Sequence, residues 1–117
     1  FATSMGRGLL AAADEDTRAA VLAEPLPRLT PVTVTDAGSL HAELDRVARQ
    51  GWAVVDGELE IGLQSVAVPV RGRDDTVVAS INVSMSSGRY STAVIENEIV
   101  PAALRTAEGI SADLRLL

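Results

Sequence analysis

The clearest periodicity in the chain lies between residues 36 and 51. Leu40, Leu44 and Val47 recur at spacings of four and three, which lines one face of a helix. Asp36 or Ser39 can cap its start, and Gly51 stands where a helix-ending glycine is expected. Asp45 and Arg49, at i and i+4, can pair on the outer face. The pattern then changes. Residues 52–56 and 64–71 are apolar runs on either side of the acidic stretch Asp56-Gly-Glu-Leu-Glu60, and 77–84 is a third run after the polar turn 71–76. These read as three strands, with a hairpin around the polar turn.

Shorter helices are expected earlier. Thr3 or Ser4 can cap one over about 4–13, with Leu9 and Leu10 as its apolar contacts. Gly6 and Gly8 weaken it, which suits a backbone that comes close to something. Asp14 can cap a second over 15–23 that buries Val21 and Leu22, and Pro25 and Pro27 end it. Residues 28–35, β-branched but broken by Pro31, read as a loop or an edge segment. After the loop 86–91, a last helix runs from about 92 to 114, with Ile95, Ile99, Ala103 and Ile110 on one side and a kink or break at Pro101. Three helices, three strands and a helix, with the strands joined as neighbours, imply an α+β fold: an antiparallel sheet with helices packed on it. Three strands are few for a complete sheet, and the opening Phe-Ala-Thr-Ser-Met reads as mid-domain sequence. The expectation is a fragment that lacks the domain's first strands.

Composition narrows the chemistry. At 117 residues the chain is the size of one domain, and with one Phe, one Trp and one Tyr its core must be mainly aliphatic. Net charge is −6, and there is no Lys and no basic cluster. A nucleic-acid surface needs a basic stripe, so this segment is not expected to bind DNA by itself. No Cys is present, which excludes disulfides and thiolate chemistry and fits a reducing cytoplasm. No apolar run has transmembrane length, so no membrane role is expected.

Several polar groups could carry function. Free N–H groups where Ser4-Met5 opens a helix favour an anion; an ordinary cap is the alternative. Ser65, Asn82 and Ser84 stand on otherwise apolar strands, the last two on one face. Their partners could be a small polar ligand, water or backbone groups. Glu58 and Glu60 read as solvated charges on a strand edge, while Asp56 ends a strand beside Gly57. Arg89 could clamp a carboxylate, cap a turn or pair with an acid. His41 reads as a helix-end surface residue. No metal cage, cofactor motif or Gly-x-Ser-x-Gly elbow occurs, so neither a catalytic residue nor a metal or cofactor site is assigned.

Four blocks together resemble the effector-binding domain of the IclR family of bacterial transcriptional regulators. They are Ala2-Thr-Ser-Met-Gly-Arg-Gly-Leu-Leu-Ala-Ala12; Leu29-Thr-Pro-Val-Thr-Val-Thr-Asp36 with Leu40 through Trp52; Gly51 through Val70; and Val78 through Ser84 with Gly88-Arg-Tyr-Ser91. The resemblance implies a GAF-like α/β domain that binds a small organic acid and forms dimers or tetramers. DNA binding would come only from an upstream winged helix-turn-helix outside this chain, and residues 1–117 would be the C-terminal part of the effector domain. Carried over from the family, the backbone at Ser4 and Met5 and the side chains of Ser65, Asn82 and Ser84 would line the effector site. A family acidic position falls on Val55, beside a retained Asp56. That departure, and the wording Val55-Asp-Gly-Glu-Leu-Glu-Ile-Gly-Leu-Gln-Ser65, resemble the branch that senses protocatechuate, 4-hydroxybenzoate and β-ketoadipate. A larger, less polar acid than glyoxylate is then expected. The rival expectations are a ligand-free dimerising module, with Ser65 and Asn82 satisfied internally, and an enzyme of the GAF or PAS-like class, which the missing nucleophile motifs disfavour.

Overall fold

In the computed structural model, which describes residues 1–117, the helices and strands follow the expected order. Helix α1 (Ser4–Ala12) is capped by Thr3, whose hydroxyl accepts from the Gly6 N–H at 3.0 Å. Helix α2 (Glu15–Ala23) is capped by Asp14 on the Thr17 N–H, and α3 (Ala37–Gln50) by Asp36 on the Ser39 N–H. α3 stops at Gly51, in the left-handed region at φ 89°. Strands β1 (Ala53–Asp56), β2 (Leu63–Arg71) and β3 (Val77–Ser86) form an antiparallel sheet in that spatial order. Val55 pairs with Ser65, and Ser65 in turn with Ser84. Pro69 lies beyond the last β1 pair, Ala53 with Ala67, where β2 has a neighbour on one side only.

Because strand side chains alternate, β2 serves two cores. Val66, Val68 and Val70 face the C-terminal helix, against Ile95, Val100, Ala103 and Ala107. Ser65 points to the other face and meets Ser4 on α1. α1 lies close on that face: a Cβ at Gly8 would meet the Ser80 hydroxyl at 3.2 Å. A separate apolar cluster on the far side of α1 joins Leu22, Leu40 and Leu44 to Phe1, Leu10 and Leu26. The layers are therefore the C-terminal helix, the sheet, α1, and outermost α2 with α3.

Several expectations are corrected. Leu10 packs into the outer cluster, but Leu9 is 45% exposed, and Leu22 is buried where Val21 is not. Asp45 pairs with Arg18 of α2 at 2.7 Å instead of Arg49, because α2 lies across α3 and offers the shorter reach. The last helix does not break at Pro101, and its irregularity lies ahead of that residue. It begins as a single turn, α4 (Thr92–Val94), passes through a π turn (Ile95–Ile99) and continues as α5 (Val100–Arg115). Proline has no N–H to give the preceding turn, and Val100 donates to the Ile95 carbonyl five residues back. The wider turn shifts the helix phase. Val100, Ala103, Ala107 and Ser111 become the buried stripe, and Ile110 turns outward.

Candidate functional site

The start of α1 and the sheet enclose a cleft of about 170 Å³. Its walls are Ala2, Thr3, Ser4 and Met5, then Val55 on β1, Leu59 and Leu63 around the β1–β2 turn, Ser65 on β2, and Asn82 and Ser84 on β3. A cavity near 150 Å³ is enough to take up one benzene-sized ring. Each polar group arrives for a local reason. Thr3 spends its hydroxyl on the Gly6 N–H, and an α-helix has no internal acceptor for its first N–H groups. The Ser4 and Met5 N–H groups are left at the cleft, at the positive end of the helix dipole. Alternation along β2 turns Ser65 toward α1, where its hydroxyl lies 2.7 Å from that of Ser4. Both serines are buried. Asn82 and Ser84, two residues apart on β3, share the cleft face and bond each other, Asn82 Nδ2 donating to Ser84 Oγ at 3.1 Å. No ionisable side chain lines the cleft.

Six of the seven residues expected at an effector site thus meet in one place: Ser4, Met5, Val55, Ser65, Asn82 and Ser84. Asp56 does not join them. Strand alternation puts it on the opposite side from Val55, where it accepts a hydrogen bond from the Ser87 hydroxyl. Arg89 does not line this cleft; it is exposed and lies over the Tyr90 ring at 5.8 Å. A larger cavity of about 390 Å³ lies nearer the other end of α1, lined among others by Ala11, Val47, Trp52, Ala67 and Pro69. It contains none of the seven residues.

The expectation for Glu58 is overturned. It is 9% exposed, and its carboxylate takes both ends of the Arg7 guanidinium, at 2.8 and 2.6 Å. Glu58 also accepts from the Val34 N–H at 2.9 Å, and Arg7 Nε donates to the Phe1 carbonyl at 2.9 Å. Two threonines of the 28–35 loop complete the arrangement. Thr30 donates to the Gly57 carbonyl and Thr33 to the Glu58 carbonyl, each at 2.6 Å. Glu60, by contrast, is exposed as expected. The missed signal was in α1. Ser4, Arg7 and Gly8 share one helix face, and an arginine on a buried face demands an anionic partner.

Comparison with known proteins agrees with this architecture. The family model described as bacterial transcriptional regulator IclR C-terminal matches residues 1–112. The Pca regulon regulatory protein of Pseudomonas putida is 40% identical over 111 residues, 94% of this chain and 38% of that protein. An IclR homologue from Microbacterium hydrocarbonoxydans, solved in complex with 4-hydroxybenzoate, superposes with a TM-score of 0.89 at 33% identity, covering 99% of this chain and 46% of that one. The inducer-binding domain of the Acinetobacter transcription factor PobR, a double mutant in complex with 3-hydroxybenzoic acid, gives 0.88 at 28% identity, covering 94% and 63%. The chain therefore spans well under half the length of the Pseudomonas relative.

Proposed function

We propose a function from one premise: the chain belongs to the family of IclR C-terminal domains of bacterial transcriptional regulators. We read it as the effector-binding part of such a regulator, sensing an aromatic or dicarboxylic acid, with no catalytic activity and no metal or cofactor. The ligand's carboxylate would lie at the α1 start, on the Ser4 and Met5 N–H groups, and Ser65, Asn82 and Ser84 would meet its other oxygens. The observation that carries this reading is the cleft itself. It has the volume of one ring, the N–H groups of the α1 start on one wall, hydroxyl and amide groups on the sheet wall, and apolar walls from Val55, Leu59 and Leu63. The relatives solved with 4-hydroxybenzoate and 3-hydroxybenzoic acid support a ligand of the same class.

Binding would act on DNA only through a separate DNA-binding domain, by favouring one arrangement of subunits in a homodimer or homotetramer. The acid must bind that arrangement better than the other, or nothing shifts. Calorimetry of the full-length regulator with protocatechuate, 4-hydroxybenzoate and β-ketoadipate tests the reading. Heat is expected with at least one acid, and Asn82→Ala should weaken both that binding and its effect on promoter binding. No heat with any acid, together with unchanged promoter binding by Asn82→Ala, would refute it.

Two observations favour a second reading, a ligand-free dimerising module: Ser65 already has a partner in Ser4, and Asn82 in Ser84. On that reading Ser65→Ala alters stability alone, and no acid changes the protein's promoter binding.

A further inference from the structure

We propose that the buried Arg7–Glu58 pair positions the acid-binding cleft, setting the distance and rotation of the α1 start relative to the β1–β2 turn. This rests on the effector-binding reading above. Every partner of the Arg7 side chain is one residue from a cleft wall. Its Nε bonds the Phe1 carbonyl, and Ala2 and Thr3 follow. Its guanidinium holds Glu58, and Leu59 follows. Within α1, Arg7 stands three residues after Ser4, on the same face. The rotation that seats Arg7 on Glu58 is therefore the one that brings Ser4 opposite Ser65, at 2.7 Å.

The form of the interaction argues for positioning over stability. Replacing a buried ion pair by well-packed apolar side chains is often neutral or stabilising, so stability alone gives little reason for one. A bidentate guanidinium–carboxylate contact constrains direction as well as distance. Here the carboxylate is also tied to the 28–35 loop through the Val34 N–H, so three segments far apart in sequence meet on two side chains. The pair brings no net charge to the cleft.

The test uses the full-length regulator, with 4-hydroxybenzoate as probe. Glu58→Gln removes the charge pairing, and the double variant Arg7→Met/Glu58→Leu replaces both charges with apolar bulk, so that the fold persists even if the single variant unfolds. The double variant leaves the part-buried Val34 N–H and Phe1 carbonyl without their partners, so it should stay folded with a lowered thermal midpoint. It should bind the probe about tenfold or more weakly, the loss seen when groups that orient the ligands of a metal site are removed. Hydrogen exchange without ligand should quicken at residues 4–7 and 28–35, with β2 and β3 still protected. Binding within twofold of the unaltered protein, or exchange that rises evenly across the domain or nowhere, overturns the proposal. If the unaltered protein binds neither 4-hydroxybenzoate nor protocatechuate nor β-ketoadipate, the effector reading fails, and the exchange pattern alone decides whether the pair positions the helix start.

Discussion

Thr33→Val tests how the acidic turn is held. The replacement has the same shape but no hydroxyl. Thr33 Oγ1 donates to the Glu58 carbonyl at 2.6 Å, and it accepts from the Thr30 N–H at 2.8 Å and the Leu29 N–H at 3.1 Å. Leu29 is exposed, so water can replace its bond, but Thr30 and Glu58 are buried. Each buried group left unpaired costs about 1–3 kcal/mol, so the two together make a loss of about 2–6 kcal/mol the expectation. Thr33→Ser keeps the hydroxyl and removes one methyl, worth about 0.8 kcal/mol. Thr35→Val, at a half-buried threonine whose hydroxyl makes no hydrogen bond in the protein, should stay within about 0.5 kcal/mol. Denaturant unfolding followed by the fluorescence of Trp52, which packs against both sheet cores, measures all three. If Thr33→Val proves no less stable than Thr33→Ser, the argument is refuted. The turn would then be held by packing and not by the threonine hydroxyls.

Other outcomes follow from the same structure. Leu44→Ala, in the outer cluster with Leu22 and Leu40, should cost about 2–5 kcal/mol in denaturant unfolding, while Leu9→Ala should cost under about 0.5 kcal/mol. Val55→Asp would put a carboxylate into the cleft. At ~5 Å and an effective dielectric near 20, repulsion of about 3 kcal/mol should weaken 4-hydroxybenzoate binding by at least about tenfold in calorimetry. Backbone and hydroxyl hydrogen bonds from Thr17 lower the Asp14 carboxyl below its ordinary 3.8, and the Ser39 hydroxyl and N–H do the same for Asp36. A folded value below the unfolded one means that the caps' contribution is present above about 3.8 and lost as pH falls through the lower folded values. Unfolding midpoints should therefore decline in that acid range, and less steeply for Asp36→Asn.

How much was legible depended on whether the cause was local. The α3 stripe, its Asp36 cap and the Gly51 stop were readable because each rests on neighbours within a turn. The shared face of Asn82 and Ser84 followed from strand alternation alone. The π turn was not foreseen. Pro101 announced a disturbance, but whether a helix breaks, kinks or widens depends on the packing of Ile95 and Val100 on β2. The Arg7–Glu58 pair spans 51 positions, and near Glu58 only alternation with Asp56 and Glu60 was visible, which suggested a solvated edge. Residues 28–35 could be read no further than a loop or an edge segment, because their order comes from hydroxyls bonded to carbonyls more than twenty residues away. Asp56 was placed in the site by resemblance, though its parity along β1 already opposed that of Val55.

The bonds that fix the cleft's outline end on Arg7, Glu58, Thr30 and Thr33, and none of them ends on the side chains of Val55, Leu59, Leu63 or Asn82. At the latter four positions scaffold and lining are therefore separable, whereas Thr3, which caps α1, and the Ser4–Ser65 contact belong to both. Mutation can resize or repolarise the lining in single steps while the scaffold keeps its geometry, so intermediates on the way to a new ligand stay folded. A cleft wired in this way is evolvable: a new chemical preference needs a handful of side-chain changes and no new fold.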